Sequence, residues 1–183
     1  MHSAREGGCE FVTQDNNWHS VGGAWDLVIA HPPCTYLTCS GNRWLVEDKW
    51  HSKALARYID RVDAIKFFME FVTCGATRIA IENPIGIMSN VYRKPDQIIQ
   101  PWQFGDNEVK STCLWLTNLE PLVPSVTEKP EIEYFEWVSK DGKKKRQSQW
   151  HMDCLKASTD EERQALRSKT FQGIANAMAE QWG

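Results

Sequence analysis

The chain contains no Gly-x-Gly-x-x-Gly segment, no Cys-x-x-Cys pair, no internal repeat, no low-complexity tract and no apolar run of membrane-spanning length. The first absence removes the usual glycine cradle for a dinucleotide or related cofactor. The second argues against the paired frameworks of structural zinc and dithiol sites. Six cysteines, at 9, 34, 39, 74, 113 and 154, are scattered instead. With no signal peptide and no membrane segment, they lead us to expect thiols in a reducing cytoplasm. A net charge of −3 gives no general attraction to nucleic acid, so any contact with DNA has to come from a local patch. At 183 residues one domain is expected, residues 1–183, large enough for a core of its own.

What is present centres on two strand ends. Trp25-Asp26-Leu27-Val28-Ile29-Ala30 reads as a buried strand, and His31-Pro32-Pro33-Cys34 follows it. Each proline fixes its own φ and pushes the residue before it toward extended geometry. Cys34 is therefore presented on a stiff loop rather than packed as filler. A second run, Thr77-Arg78-Ile79-Ala80-Ile81, ends in Glu82-Asn83-Pro84. Between them Leu55, Tyr58, Ile59, Val62, Ile65, Met69 and Val72 recur at helical spacing. That predicts a helix over 52–73 with this stripe as its core face, stopped by Gly75. Strand, helix, strand implies a right-handed crossover with parallel neighbours. Both strands then end on one sheet edge, about 4.8 Å apart, where open α/β sheets hold their ligands. The spacing predicts a site containing a thiol, Cys34, and a carboxyl, Glu82.

That pair suits one kind of chemistry. A thiolate is a strong nucleophile, and a carboxyl shielded from water can give a proton. Thiolate attack on C6 of a cytosine, helped by protonation of the ring nitrogen, makes C5 nucleophilic enough to accept a methyl group. Metal is the weaker reading: His31, Cys34 and Cys39 lack a fourth ligand, and no metal is expected. A zinc deaminase needs Pro-Cys-x-x-Cys, but residue 37 is Leu37.

The same residues resemble the DNA (cytosine-5) methyltransferase family. Pro32-Pro33-Cys34 looks like its Pro-Pro-Cys motif, and Glu82-Asn83 like its Glu-Asn motif. Phe171-Gln172-Gly173-Ile174-Ala175-Asn176-Ala177 is similar to its last motif, a glycine turn into a helix beside the cofactor. The order matches as well. Short, phage-borne members are more similar still, through Ala30-His31-Pro32-Pro33-Cys34-Thr35-Tyr36, Ile81-Glu82-Asn83-Pro84, Gln100-Pro101-Trp102-Gln103-Phe104-Gly105 and Thr112-Cys113-Leu114-Trp115-Leu116. The resemblance spans roughly residues 25–118 and 166–183. It implies Cys34 as nucleophile, Glu82 at the cytosine N3, Pro33 and Asn83 against the base, and S-adenosylmethionine beside Pro32, Gly173 and Asn176. It also implies DNA as partner. A cysteine after Pro-Pro, where amino-methyltransferases have an aromatic, points to carbon rather than nitrogen as acceptor.

Three departures stand beside it. Residues 35–38 read Thr-Tyr-Leu-Thr where Gln-Pro-Phe-Ser is usual. The family's Gln-x-Arg-x-Arg motif is missing, and Lys110 near its place is the substitute candidate for a phosphate or base contact, with Arg43 beside the Cys34 loop as another. Only 24 residues precede Trp25, whereas a strand–helix–strand unit takes about thirty or more. The expected fold is thus a three-layer α/β, Rossmann-like methyltransferase core, shortened at its N-terminus. Three accounts of the shortening stand open: a truncated product, half of a split enzyme whose second chain supplies the cofactor loop, or a non-catalytic remnant binding DNA or a partner protein. A thiol enzyme acting on free pyrimidine nucleotides is a further rival.

Elsewhere the sequence predicts strands over 10–14, 96–104 and 111–117, a turn at 15–17, a short helix over 42–46 and an irregular segment from Pro84 to Pro95. Gly7-Gly8 and Gly22-Gly23 follow no convincing strand. An insertion over 119–165 contains a hairpin turning at Asp141-Gly142, with Lys143-Lys144-Lys145-Arg146 on it. Helices are predicted over 159–167 and 171–182, the first starting after Thr159.

Overall fold

β-branched and apolar runs become strands wherever a neighbour completes their ladders. The computed structural model describes residues 8–12, 18–22, 25–45, 47–168 and 170–183. In chain order the elements are β1 (Gly8–Val12), β2 (Trp18–Gly22), β3 (Leu27–Ala30), a 3₁₀ turn (Cys39–Leu45), α1 (Glu47–Val72), β4 (Arg78–Pro84), α2 (Met88–Val91), β5 (Gln97–Ile99), a second 3₁₀ turn (Pro101–Phe104), β6 (Thr112–Thr117), β7 (Tyr134–Val138), β8 (Lys144–Ser148), α3 (Gln149–Leu155), α4 (Asp160–Ser168) and α5 (Gln172–Trp182). The chain divides into two compact units, residues 1–98 with 112–121, and residues 99–111 with 122–183. Among the described residues no helix is long and apolar enough to cross a membrane.

The first unit is built on a mixed four-stranded sheet ordered β3-β4-β6-β5. β3 and β4 are parallel neighbours, with Ala30 opposite Ile81, as the crossover required. β6 runs antiparallel to β4, with Glu82 opposite Leu114 and Asn83 opposite Cys113. The chain is thus α/β with a mixed sheet. Alternation along β4 sends Ile79, Ile81 and Asn83 to one face and Ala80, Glu82 and Pro84 to the other. On the first face Val28, Ala30, Ile79, Ile81, Cys113 and Trp115 pack against Phe68 and Phe71 of α1. The Phe68 and Trp115 rings meet edge to face, 5.2 Å apart, a geometry that aromatic quadrupoles favour. On the second face Ala80, Leu114 and Leu116 are buried.

The expected core stripe of α1 is corrected in its first half. Leu55, Tyr58, Ile59 and Val62 are exposed, while Ala54, Phe68 and Phe71 are buried. Apolar residues occupy more than one face of this helix, so periodicity offers two stripes. Arg57 and Arg61 decide between them, because both donate to carbonyls of the loop after β3 and so turn that side of the helix inward. Other expectations shift as well. β1 and β2 pair antiparallel, so Gly22 does close a strand. The predicted turn at 15–17, positions 13–14 of the predicted strand and Val46 lie outside the described residues. The irregular segment after Pro84 contains the short α2. The strand expected over 96–104 stops at Ile99, because Pro101 has no N–H for a ladder and opens the 3₁₀ turn, its entry capped by Gln100 N–H donating to Gln103 Oε1 at 2.7 Å.

The second unit carries the predicted hairpin, β7 pairing β8 antiparallel. The last two predicted helices are α4 and α5. Thr159 Oγ1 accepts from the Glu162 backbone at 3.1 Å, capping the start of α4.

Candidate active site

β3 ends at buried Ala30, and the chain leaves the sheet through exposed His31, buried Pro32, exposed Pro33 and half-buried Cys34. The Cys34 carbonyl accepts from the Leu37 and Thr38 amides at 3.0 and 3.1 Å, closing a tight turn. Leu37 is fully buried and anchors that turn in the core. Its carbonyl accepts from the Ile87 amide at 2.8 Å, and Thr38 bridges to Gly86. A Cβ on Gly86 would lie 2.2 Å from the Leu37 oxygen, so only glycine lets the segment after β4 approach the cysteine loop this closely. From α1, Arg57 donates to the Thr35 carbonyl at 3.2 Å and Arg61 to the Tyr36 carbonyl at 2.9 Å. Arg57 also stacks over the Tyr36 ring, 5.0 Å from its centroid. Burial, then the neighbouring Asp60 charge, pushes the Tyr36 hydroxyl above its ordinary pKa.

β4 delivers the other half. Asn83 is 2% exposed, and its Nδ2 donates to the Pro32 carbonyl at 2.7 Å. This bond joins the two strand ends directly. Next to it, the Glu82 side chain is 15% exposed, and its Oε2 accepts from His31 Nδ1 at 3.0 Å. Cys113, opposite Asn83, is buried; burial and the nearby Glu82 charge push its thiol to about 11. It therefore stays protonated at neutral pH, which disqualifies it as the nucleophile. The structure thus brings His31, Pro32, Pro33, Cys34, Glu82 and Asn83 to one strand-end region of the first unit.

Arg43, also in this unit, stands exposed with its guanidinium 4.9 Å over the Trp44 ring. Lys110, Gly173 and Asn176 belong to the second unit. Lys110 donates to the Arg167 carbonyl at 3.2 Å and lies over the Trp150 and Phe171 rings at 5.5 and 5.8 Å. Among the described residues no three His, Cys, Asp or Glu side chains gather to hold a metal ion.

The three residues assigned to S-adenosylmethionine are all engaged internally. The Pro32 carbonyl is taken by Asn83. The Gly173 amide donates to Asp106 Oδ2 at 2.9 Å, and a Cβ there would sit 1.9 Å from the Phe104 oxygen. That glycine serves backbone packing rather than an open cradle. Asn176 Oδ1 accepts from Gln172 at 2.7 Å. Taken alone, these residues do not fit the cofactor.

Sequence reasoning missed Arg57, Arg61, the close approach at Gly86 and the pairing of His31 with Glu82. His31 was readable as a motif letter but not as a partner of Glu82. The two arginines read as ordinary helix-surface charge. No family model matches the chain, and no curated protein or solved structure matches it.

Proposed function

We propose that this chain activates cytosine for methyl transfer to C5 in DNA, with S-adenosylmethionine as the donor that the sequence resemblance names. A Rossmann-like methyltransferase core goes with that reading. One observation carries it: β3 and β4 are parallel neighbours with Ala30 opposite Ile81, so the Cys34 loop and Glu82 leave the sheet by the same edge, laced together by Asn83.

The chain's own residues account for base activation. The Cys34 thiolate forms an Sγ–C6 bond. The ring's electron pair shifts toward N3, which takes a proton from the Glu82 carboxyl group. The resulting enamine is nucleophilic at C5. After C5 is substituted, its proton passes to water as the C6–S bond breaks and the thiolate returns, and N3 gives up the proton it took. The target base must first leave the duplex stack, at a cost of a few kcal/mol. The hairpin supports a DNA partner, since Lys143 to Arg146 form a local basic run on a chain of net negative charge.

A second reading is favoured by the internal hydrogen bonds of Pro32, Gly173 and Asn176: the cofactor is held by a second chain, and this chain supplies the activating half. The deciding experiment pairs two substrates. DNA containing 5-fluorocytosine, incubated with S-adenosylmethionine, should leave an adduct on Cys34, detected by mass spectrometry and absent in Cys34→Ser. DNA carrying tritium at C5 of cytosine should release it without any cofactor. Release without the fluorocytosine adduct supports the activating half alone. Neither signal, with folded protein, ends the proposal and leaves a non-catalytic remnant.

A further inference from the structure

We infer that His31 is a positioning residue that loads Glu82 with the proton it delivers; the inference rests on the reading of Glu82 as the group facing the cytosine N3.

An ordinary carboxyl is ionised at neutral pH and has no proton to give. A base whose N3 must be protonated therefore needs a proton stored next to that carboxylate. His31 Nδ1 meets Glu82 Oε2 at 3.0 Å, and imidazole is the side chain that changes charge near neutrality. One carboxylate oxygen is thus held by the imidazole, and Oε1 is the atom that can address a ring nitrogen.

Exposure sets the direction of supply. The Glu82 side chain is 15% exposed and that of His31 is 37% exposed, so the imidazole is the wetter member and connects the carboxyl group to solvent. Its backbone is held too. Pro32 follows it and restricts it to extended geometry, and the Pro32 carbonyl is fastened by Asn83. Cys113 from β6 is a further titratable neighbour of Glu82; its thiol stays protonated and is buried.

Imidazolium and carboxylate share one proton before attack. As the Sγ–C6 bond forms, that proton moves onto Glu82 Oε2, a half-turn of the carboxyl group about its Cγ–Cδ bond brings it to the ring, and it ends on N3. The imidazole is left neutral and Glu82 ionised, and a solvent proton resets His31.

The test uses His31→Gln in the full chain. Glutamine can still donate a hydrogen bond to Glu82 but carries no transferable proton. Tritium release from C5 of cytosine in DNA should fall on the order of a hundredfold, the low end of general-acid effects. Adduct formation with 5-azacytosine DNA, whose electron-poor ring needs less proton assistance, should change by less than about threefold, well under that acid contribution. Added imidazole should restore tritium release to His31→Ala. Unchanged release in His31→Gln overturns the inference and leaves the Cys34–Glu82 reading standing. Equal loss on both substrates overturns it also, by reducing His31 to a structural prop. If the native chain shows neither release nor adduct, the functional reading itself has failed and this inference falls with it.

Discussion

Substitution of Gly86 by alanine attacks the site without touching a reacting group. The added Cβ would sit 2.2 Å from the Leu37 oxygen, where ordinary contact begins near 3.4 Å. Relief requires the two segments to part by about 1.2 Å, and the partner is backbone, which cannot swing aside as a side chain would. The Ile87 N–H to Leu37 C=O bond of 2.8 Å lies in the same place and lengthens with it. Overpacking of this kind costs about 1–3 kcal/mol, which for a chain of this size lowers Tm by about 2–12 °C. Leu37 and the Cys34 turn are one unit, because both the Leu37 and Thr38 amides bond to the Cys34 carbonyl. The shift therefore carries the thiol with it. A misplacement of about 1 Å at a reacting group costs about a hundredfold in rate. Thermal unfolding, together with tritium release from C5 of cytosine in DNA, reads both effects. A Gly86→Ala chain within about 0.5 kcal/mol of the parent and equally fast would refute the account of Gly86 as a close-approach glycine.

Asn83→Ala leaves the Pro32 carbonyl without its donor in a buried place, and urea unfolding should show a loss of about 1–3 kcal/mol with an unchanged m-value. Cys113 should leave its mark at alkaline pH. Its thiol is raised from about 9 to about 11 by burial, so the native state retains a proton that the unfolded chain gives up. The Cys113 contribution should be intact below pH 9 and fall by about 2–3 kcal/mol between pH 9 and 11; Cys113→Ala should lose that part of the alkaline slope and keep the part from the Cys154 thiol and the Tyr36 hydroxyl, which burial also raises. Replacing Lys143, Lys144, Lys145 and Arg146 by glutamine should flatten the salt dependence of DNA binding, by about 0.9 in log–log slope for each phosphate no longer neutralised. An unchanged slope would remove the hairpin from the DNA-binding account.

The sequence was most readable where two signals agreed. For β3, α1 and β4, apolar runs of strand length, a helical period between them and turn residues at the ends all pointed to one parallel pair; its register, Ala30 opposite Ile81, came from the structure. Reading failed where one residue pattern fitted two arrangements. α1 is apolar on more than one side, and which side turns inward depends on Arg57 and Arg61 finding loop carbonyls, a long-range outcome invisible to periodicity. The segment 96–104 has strand composition, yet Pro101 ends the ladder. Cys34 and Glu82 were legible as neighbours at one strand-end region because prolines and strand ends flank them. His31 was not, because its partner lies 51 positions away and nothing local announces it.

β4 is flanked on both sides, by β3 in parallel and β6 in antiparallel pairing, and it bears the acid and the amide at consecutive positions. Inserting or deleting one residue just before Glu82 would exchange the two, sending the carboxylate into the helix-packed interior and the amide out of it. Selection on this segment should therefore police its length more strictly than its lettering. In a mutational scan, single-codon indels there should be lost even where conservative apolar replacements at Ile79 or Ile81 survive.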